Sequence, residues 1–246
     1  KLKIIEADLC EDKGWDKATK GITAVLHVAS PFPNSPVADE STLLKPAVEG
    51  TTRVLRYCEK NKIKKVVVVS SIAAVAIGRK DKKRFDAEDW TDIEGGNVDA
   101  YQKSKTMAEK AAWQYYKEHA KGPFTLTTVN PGLVIGPILG TRIGTSNEII
   151  QKMIKGDYPG CPNIQVALVD VRDVAIGIVQ AMETEKAAGK RFILADKPMW
   201  IVDLATTLKG LGYEKVATRT LPSWMVRILG LFDKKIRLMC QYLDRE

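Results

Sequence analysis

Lys65-Val66-Val67-Val68-Val69-Ser70-Ser71 is the stretch on which the fold turns. Four consecutive valines without polar alternation read as a strand buried on both faces, as happens inside a parallel sheet covered by helices. Before it, Ile22–Ala29 is apolar apart from Thr23 and His27 and stops at Ser30-Pro31-Phe32-Pro33, where the prolines forbid continuation. Leu2–Ala7 reads as a further strand, and Val48, Thr51, Leu55 and Cys58 at three-to-four spacing predict a helix over Glu40–Asn61. After the valines, Gly78–Gly96 is a charged, turn-rich loop carrying Trp90. Asp99–His119 reads as a helix with Asp99 as N-cap and Gly122-Pro123 as its stop. Phe124–Asn130 is the next strand, ended by Pro131-Gly132, with another break at Gly136-Pro137. Strands alternating with helices predict a parallel sheet with right-handed crossovers.

From about residue 138 the elements shorten. Helices are expected at Ser146–Lys155, Asp170–Thr184 and Ile201–Leu211, and short strands at Gln165–Val169 and Arg191–Leu194. The division this suggests is a sheet domain over residues 1–137 and a smaller α/β lobe over residues 138–246, interleaved with the last sheet elements.

Composition sets the outer bounds. A chain of 246 residues, 45% hydrophobic and 28% charged, has enough apolar material for one large α/β domain or a domain plus a lobe, and wholesale disorder is excluded. The apolar runs are far too short to cross a bilayer as a helix. Lys and Arg number 38 against 30 Asp and Glu, a net charge of +8. These charges are scattered, with short clusters at Lys62–Lys65, Arg79–Arg84 and Lys234–Arg237, and no basic stripe is interleaved with aromatics. They read as solvated faces, so neither nucleic acid nor a membrane is an expected partner. Cys10, Cys58, Cys161 and Cys240 lie far apart with no C-x-x-C, which indicates neither a metal site nor a disulfide framework and fits a reducing cytoplasm.

Four short patterns carry chemistry. In Tyr101-Gln102-Lys103-Ser104-Lys105, helical spacing puts Tyr101 and Lys105 on one face. An ammonium roughly 4 Å from a phenol, at an effective dielectric near 20, is worth about 4 kcal/mol, nearly three pKa units. That would bring the phenol toward the range useful for proton transfer. Y-x-x-x-K occurs on many helices, so its weight comes from company. Ser70-Ser71 ends the valine strand, at the carboxyl end where open α/β sheets bind ligands, although a serine there also caps turns. Asn130–Pro137 and His27–Phe32 follow two other strands at the same edge. His27 sits inside an apolar strand and reads as structural rather than as a base, and His119 carries no signal of function.

With these motifs together, the chain resembles the extended short-chain dehydrogenase/reductases, in the branch of the dihydroflavonol reductases and the yeast methylglyoxal (aldehyde) reductases. The matching stretches are Glu6-Ala7-Asp8-Leu9, His27–Pro33, Pro46–Thr51, Val69-Ser70-Ser71, Tyr101–Lys105 with Ala108-Glu109-Lys110, Asn130–Pro137 and Val171–Ala175. The resemblance implies a doubly wound Rossmann-type parallel sheet with a C-terminal substrate lobe, NADP(H) as cofactor, and reduction of a small-molecule carbonyl to an alcohol. Carried over residue by residue, Tyr101 would give the proton, and Lys105 would lower its pKa and hold the nicotinamide ribose. Ser71 would hydrogen-bond the carbonyl, with Ser70 as the alternative. Asp8 and Leu9 resemble the adenine-contacting pair, Val28, Ala29 and Ser30 line the nicotinamide side, Pro131 and Val134 pack on it, and Ser146 reaches a phosphate. Phe32, Ile72 and the Thr145–Tyr158 stretch are candidate substrate contacts.

The chain also departs from that pattern. The family opens with a strand and a G-x-x-G-x-x-G turn that cradles the pyrophosphate, and no such turn is present. By comparison with the family, Leu2–Ala7 corresponds to its third strand, so roughly the first fifty to sixty residues are expected to be missing from a strand order 3-2-1-4-5-6. The C-terminus also stops before the family's final segment. Leu2–Ala7 then loses its partner, and Ile22–Ala29 is left with an open edge. The expectation is a piece of a longer reductase that alone binds NADPH poorly, is marginally stable and is inactive. The residue that chooses NAD or NADP falls in the missing part, and the positive charge leans toward NADP. Asn97-Val98-Asp99-Ala100 before Tyr101 lacks the cysteine motif of cinnamoyl-CoA reductases, and Ala76 stands where dihydroflavonol reductases carry Asn or Asp. Small or medium aldehydes and ketones are therefore the expected substrates. Two other readings stay open: a non-catalytic NADP(H)-binding protein or inactive fragment, and a relative of the sugar-nucleotide epimerases or 3β-hydroxysteroid dehydrogenases. The latter share the Tyr–Lys pair but usually not the H-V-A-S-P-F run. No pattern in the sequence sets an oligomeric state.

Overall fold

The computed structural model describes every residue except 1, 33–36, 38, 80, 81, 97, 120–123, 142, 245 and 246. Pro33, Lys80, Asn97 and the helix stop at Gly122-Pro123 therefore lie outside the described residues. In chain order the elements are α1 (Trp15–Thr19), β1 (Ala24–His27), α2 (Ser41–Lys60), β2 (Lys65–Val69), α3 (Ala100–Glu118), β3 (Thr125–Pro131) and β4 (Leu133–Ile135). There follow α4 (Thr145–Lys155), β5 (Cys161–Pro162), β6 (Gln165–Val166), β7 (Leu168–Asp170), α5 (Val171–Glu183) and β8 (Arg191–Leu194). The chain ends with β9 (Met199–Trp200), α6 (Ile201–Gly210), β10 (Thr220–Leu221), α7 (Ser223–Phe232) and α8 (Lys234–Met239).

A four-stranded sheet of order β1-β2-β3-β8 carries the fold, and each of its pairings is parallel. The valine strand lies inside it as expected: Val66, Val67 and Val68 are buried, Val66 pairing with Val25 on one side and Leu126 on the other. Leu55 and Cys58 of α2, Ala112 of α3 and Leu126 of β3 form the core against one face of the sheet. Asp99 caps α3 with a full capping box, accepting from the Gln102 amide at 2.8 Å while the Gln102 side chain accepts from the Asp99 amide at 2.9 Å. The parallel α/β sheet of the expected Rossmann-type class is present.

Leu2–Ala7 is not a strand. Leu2 and Ile4 are 90% and 89% exposed, and no ladder takes up the segment. A strand owes its stability to cross-strand partners, and β1, at the edge of the sheet, is not paired with it. The segment is anchored instead at its end: Leu9 packs on the core, and the Arg53 guanidinium of α2 donates to the Leu9 carbonyl and to Asp12 at 2.6 Å. Gly50 permits this approach, because a Cβ there would lie 2.8 Å from the Leu9 side chain.

Two compact units divide the chain. The first is Lys1–Pro33, Val37–Pro131 and Ala175–Leu194, which holds the sheet; the second includes Gly132–Val174 and Ala195–Glu246. The first unit thus runs through Pro131 and takes up Ala175–Leu194 as well, where β8 returns to pair with β3. Within the second unit the strand expected at Gln165–Val169 is two short ones: β6 runs antiparallel to β9, and β7 runs parallel to β4. The switch is at Ala167, whose carbonyl accepts the Leu133 amide at 2.8 Å and sits where a Cβ on Gly132 would fall, 2.2 Å away. Met153, Ala205 and Val216 build this unit's own core. Among the described residues no helix is long and apolar enough to cross a membrane.

Candidate active site

The carboxyl ends of β1 and β2 and one face of α3 meet in the first unit. Parallel strands put their carboxyl ends on one edge, and a helix of 3.6 residues per turn stacks Tyr101, Lys105 and Glu109 at intervals of four. A cavity of about 10 Å³, the size of a single water, lies there, lined by His27, Ser30, Thr51, Ser70, Lys105 and Glu109 among others.

Ser71 does two things. Its Oγ accepts the Ala73 amide at 3.1 Å, capping the turn Ile72–Ala74, and its side chain hydrogen-bonds Tyr101. Ser70 is committed elsewhere: buried, it donates to Glu109 Oε2 at 2.6 Å. Of the two serines, Ser71 is therefore the one placed beside the phenol.

The electrostatics of the pair differ from the expected scheme. Burial is the largest influence on Tyr101 and pushes its phenol up, with the Ser71 hydrogen bond pulling down and the Asp99 carboxylate pushing up again. Burial likewise lowers the Lys105 ammonium to about 8, against a raising effect of Glu109. The Lys105 ammonium is not among the influences on Tyr101, and the cost of taking a phenolate out of water sets the direction. A raised phenol is fully protonated at neutral pH, which is the state a proton donor needs.

His27 is structural in its surroundings, as expected. It is buried, 3.5 Å from Thr51 Oγ1, and burial together with the nearby Lys105 charge lowers its pKa to about 4. Because the folded value lies below the ordinary 6.5, the unfolded chain binds the proton first as pH falls. The associated stability is fully present above pH 6.5 and is lost between there and about 4, amounting to about 3 kcal/mol. Denaturant titrations across that window should show His27→Gln with a shallower acid slope than the parent; equal slopes would remove His27 from this role.

The other expected site residues divide by unit. Val28 and Ala29 are exposed after β1, and Ser30 is half-buried. Phe32 stands edge-on to Tyr101, ring centres 4.7 Å apart, with Ile72 next to Ser71 in the capped turn. Pro131 ends β3, buried. Asp8 is exposed and holds a local turn, accepting the Cys10 amide at 2.7 Å, and Leu9 rests against α2. Val134 in β4 and Ser146 in the first turn of α4 belong to the second unit.

Sequence reasoning missed the groups beneath the pair. Glu109, 1% exposed, accepts Thr128 Oγ1 at 2.8 Å, Asn130 Nδ2 at 2.7 Å and Arg191 Nε at 2.7 Å, besides Ser70. Arg191 donates to the carbonyls of Ala87 and Asp89 at 2.6 Å each and lies 3.7 Å over the Trp90 ring. The available signal was a carboxylate four residues beyond Lys105 and an arginine opening an apolar strand.

The chain is 35% identical over 200 residues to a cinnamoyl-CoA reductase of Medicago truncatula, covering 79% of this chain and 60% of that one. It is 32% identical over 218 residues to the dihydroflavonol 4-reductase of Zea mays, covering 85% and 59%. The matches thus span about three fifths of these relatives' length. Among solved structures, the yeast methylglyoxal/isovaleraldehyde reductase Gre2 complexed with NADPH superposes with a TM-score of 0.71 at 31% identity, covering 82% of this chain and 65% of that one. The family model described as 3-beta hydroxysteroid dehydrogenase/isomerase matches residues 1–223, nearly the whole chain, and to that family the chain belongs.

Proposed function

We propose that this chain carries the catalytic centre of an NADPH-dependent carbonyl reductase, which reduces an aldehyde or ketone to the alcohol with Tyr101 as proton donor. What supports the reading is Ser71 beside the Tyr101 phenol, with Lys105 one helical turn further along α3 at the cavity on the sheet's carboxyl edge. That a solved neighbour is described with NADPH bound supports the cofactor.

The donor set fits the nicotinamide end of such a cofactor. A phenol and an ammonium one helical turn apart suit the two hydroxyls of a ribose, with Lys105 holding them and Val28, Ala29, Ser30 and Pro131 beside the ring. Asp8 and Leu9 are assigned to the adenine, and Val134 and Ser146 to the nicotinamide and a phosphate. No residue is assigned to the pyrophosphate, since the sequence holds no G-x-x-G-x-x-G. NADPH held by these residues would supply hydride for reduction of the carbonyl. Ser71 Oγ and Tyr101 Oη hydrogen-bond the carbonyl oxygen, and the Tyr101 proton moves to it as negative charge develops. The Lys105 ammonium stabilises the phenolate left behind, while Phe32 and Ile72 offer the substrate an apolar wall. The cinnamoyl-CoA reductase among the relatives keeps a CoA thioester among the candidate substrates beside small aldehydes and ketones.

The test uses the complete protein with NADPH deuterated at C4 and a panel of aldehydes, ketones and thioesters. Deuterium is expected on the carbinol carbon of the product. Cofactor binding without transfer to any carbonyl overturns the reading in favour of an NADP(H)-binding protein on the same fold.

A further inference from the structure

Tyr101 and Lys105 share their helix face with a third residue, Glu109, one turn further along α3. Its carboxylate is reached from three strands: by Ser70 just past β2, by Thr128 and Asn130 of β3, and by Arg191 of β8. Asn130 uses the same amide group to donate to the Ser71 carbonyl at 3.1 Å, so the network runs directly into the backbone of the serine beside the phenol. Trp113 adds a long contact from α3 itself, at 3.4 Å. We propose that Glu109 is a positioning residue for the catalytic group: its buried charge locks α3 to the carboxyl ends of β2 and β3 and supplies the negative field under which Lys105 sits.

Taking a carboxylate out of water is costly even when it is hydrogen-bonded and paired, and packing alone would be served as well by a neutral residue of the same shape. The charge acts on what faces it. Lys105 is faced by His27 from β1, with Thr51 of α2 behind, by Ser70 from the end of β2, and by Tyr101 and Glu109 on its own helix. His27 is neutral at pH 7. Of the described residues lining that cavity, Glu109 is the one carboxylate. It opposes the burial that strips the proton from Lys105, and so keeps an ammonium available beside Tyr101.

This rests on the reading of Tyr101 and Lys105 given above, and its test is independent of turnover. In protein labelled with 13C at the lysine ε carbons, the Lys105 resonance, assigned through Lys105→Met, reports its titration directly. In Glu109→Gln the Lys105 proton affinity should fall about tenfold, moving its midpoint downward. An unchanged midpoint in folded Glu109→Gln overturns the proposal. If the single variant fails to fold because Arg191 is left unpaired, Glu109→Gln/Arg191→Met removes both charges, and the midpoint should still move down; an unchanged or raised midpoint there is equally fatal. Tyr101→Phe separates the two ideas. Unimpaired turnover in that variant would refute the assigned proton donor while leaving the effect of Glu109 on Lys105 intact.

Discussion

Replacing Tyr101 by Phe should lower turnover of the complete protein about 10²- to 10⁴-fold, while cofactor affinity falls by no more than about tenfold, the cost of one lost hydrogen bond to the ribose. The range is what a positioned general acid contributes. The substitution removes one oxygen and little else: the ring keeps its edge contact with Phe32, and the helix keeps its Asp99 capping box. Ser71 loses a hydrogen-bond partner but still accepts from the Ala73 amide, so the capped turn stays formed. A fall in rate cannot then be ascribed to unfolding, and a thermal melt on the same sample checks this. Steady-state rates with matched cofactor titrations decide the matter. Turnover within about tenfold of the parent would mean that the proton comes from another group, and Ser71 or a water at the sheet edge would replace Tyr101 in the scheme.

What could be read in advance follows from which interactions are local. The central sheet was legible because Val66–Val68 have no polar alternation to place them anywhere but inside. Likewise α3 was legible because its cap and its spacing are written in consecutive residues. Leu2–Ala7 failed for the opposite reason: β-propensity is a preference for neighbours, and the segment has none in this sheet. The single strand expected at Gln165–Val169 broke in two because Ala167 is claimed by the Gly132-Leu133 turn, a tertiary contact invisible in the run itself. In the C-terminal stretch, α7 went unnoticed although Val226 and Gly230 face inward at helical spacing.

The site shows the same division. Motif spacing singled out Ser71, Tyr101 and Lys105; in the fold Ser71 lies beside Tyr101, and Lys105 lines a cavity shared with Ala29 and Ser30, just past β1. It could not weigh solvation, since burial depends on the whole fold, and so it overstated the power of Lys105 to acidify Tyr101. Nor could it find Glu109, whose donors besides the nearby Trp113 come from residues 70, 128, 130 and 191, far apart in the chain and gathered by the strand order β2-β3-β8.

That gathering predicts the second large effect. Arg191→Met should destabilise the protein by about 3–5 kcal/mol, because it leaves the Glu109 carboxylate buried without its counter-charge. The side chains of the pair are 9% and 0% exposed, so water does not soften the loss. The guanidinium also ties the 87–89 loop through two carbonyls and covers Trp90, so the loop should loosen and Trp90 fluorescence should change in the native state. For a chain of this length the melting temperature should drop by about 10 °C. Adding Glu109→Gln to the same variant should recover part of the loss, since neutral partners remove the unpaired charge. The recovery distinguishes an electrostatic cause from lost packing: if both variants are equally unstable, the bulk of Arg191 against Trp90 is what matters. A single variant within about 1 kcal/mol of the parent would mean that the pair sits in an environment far wetter than its burial implies, and the field assigned to Glu109 at Lys105 would be correspondingly weak.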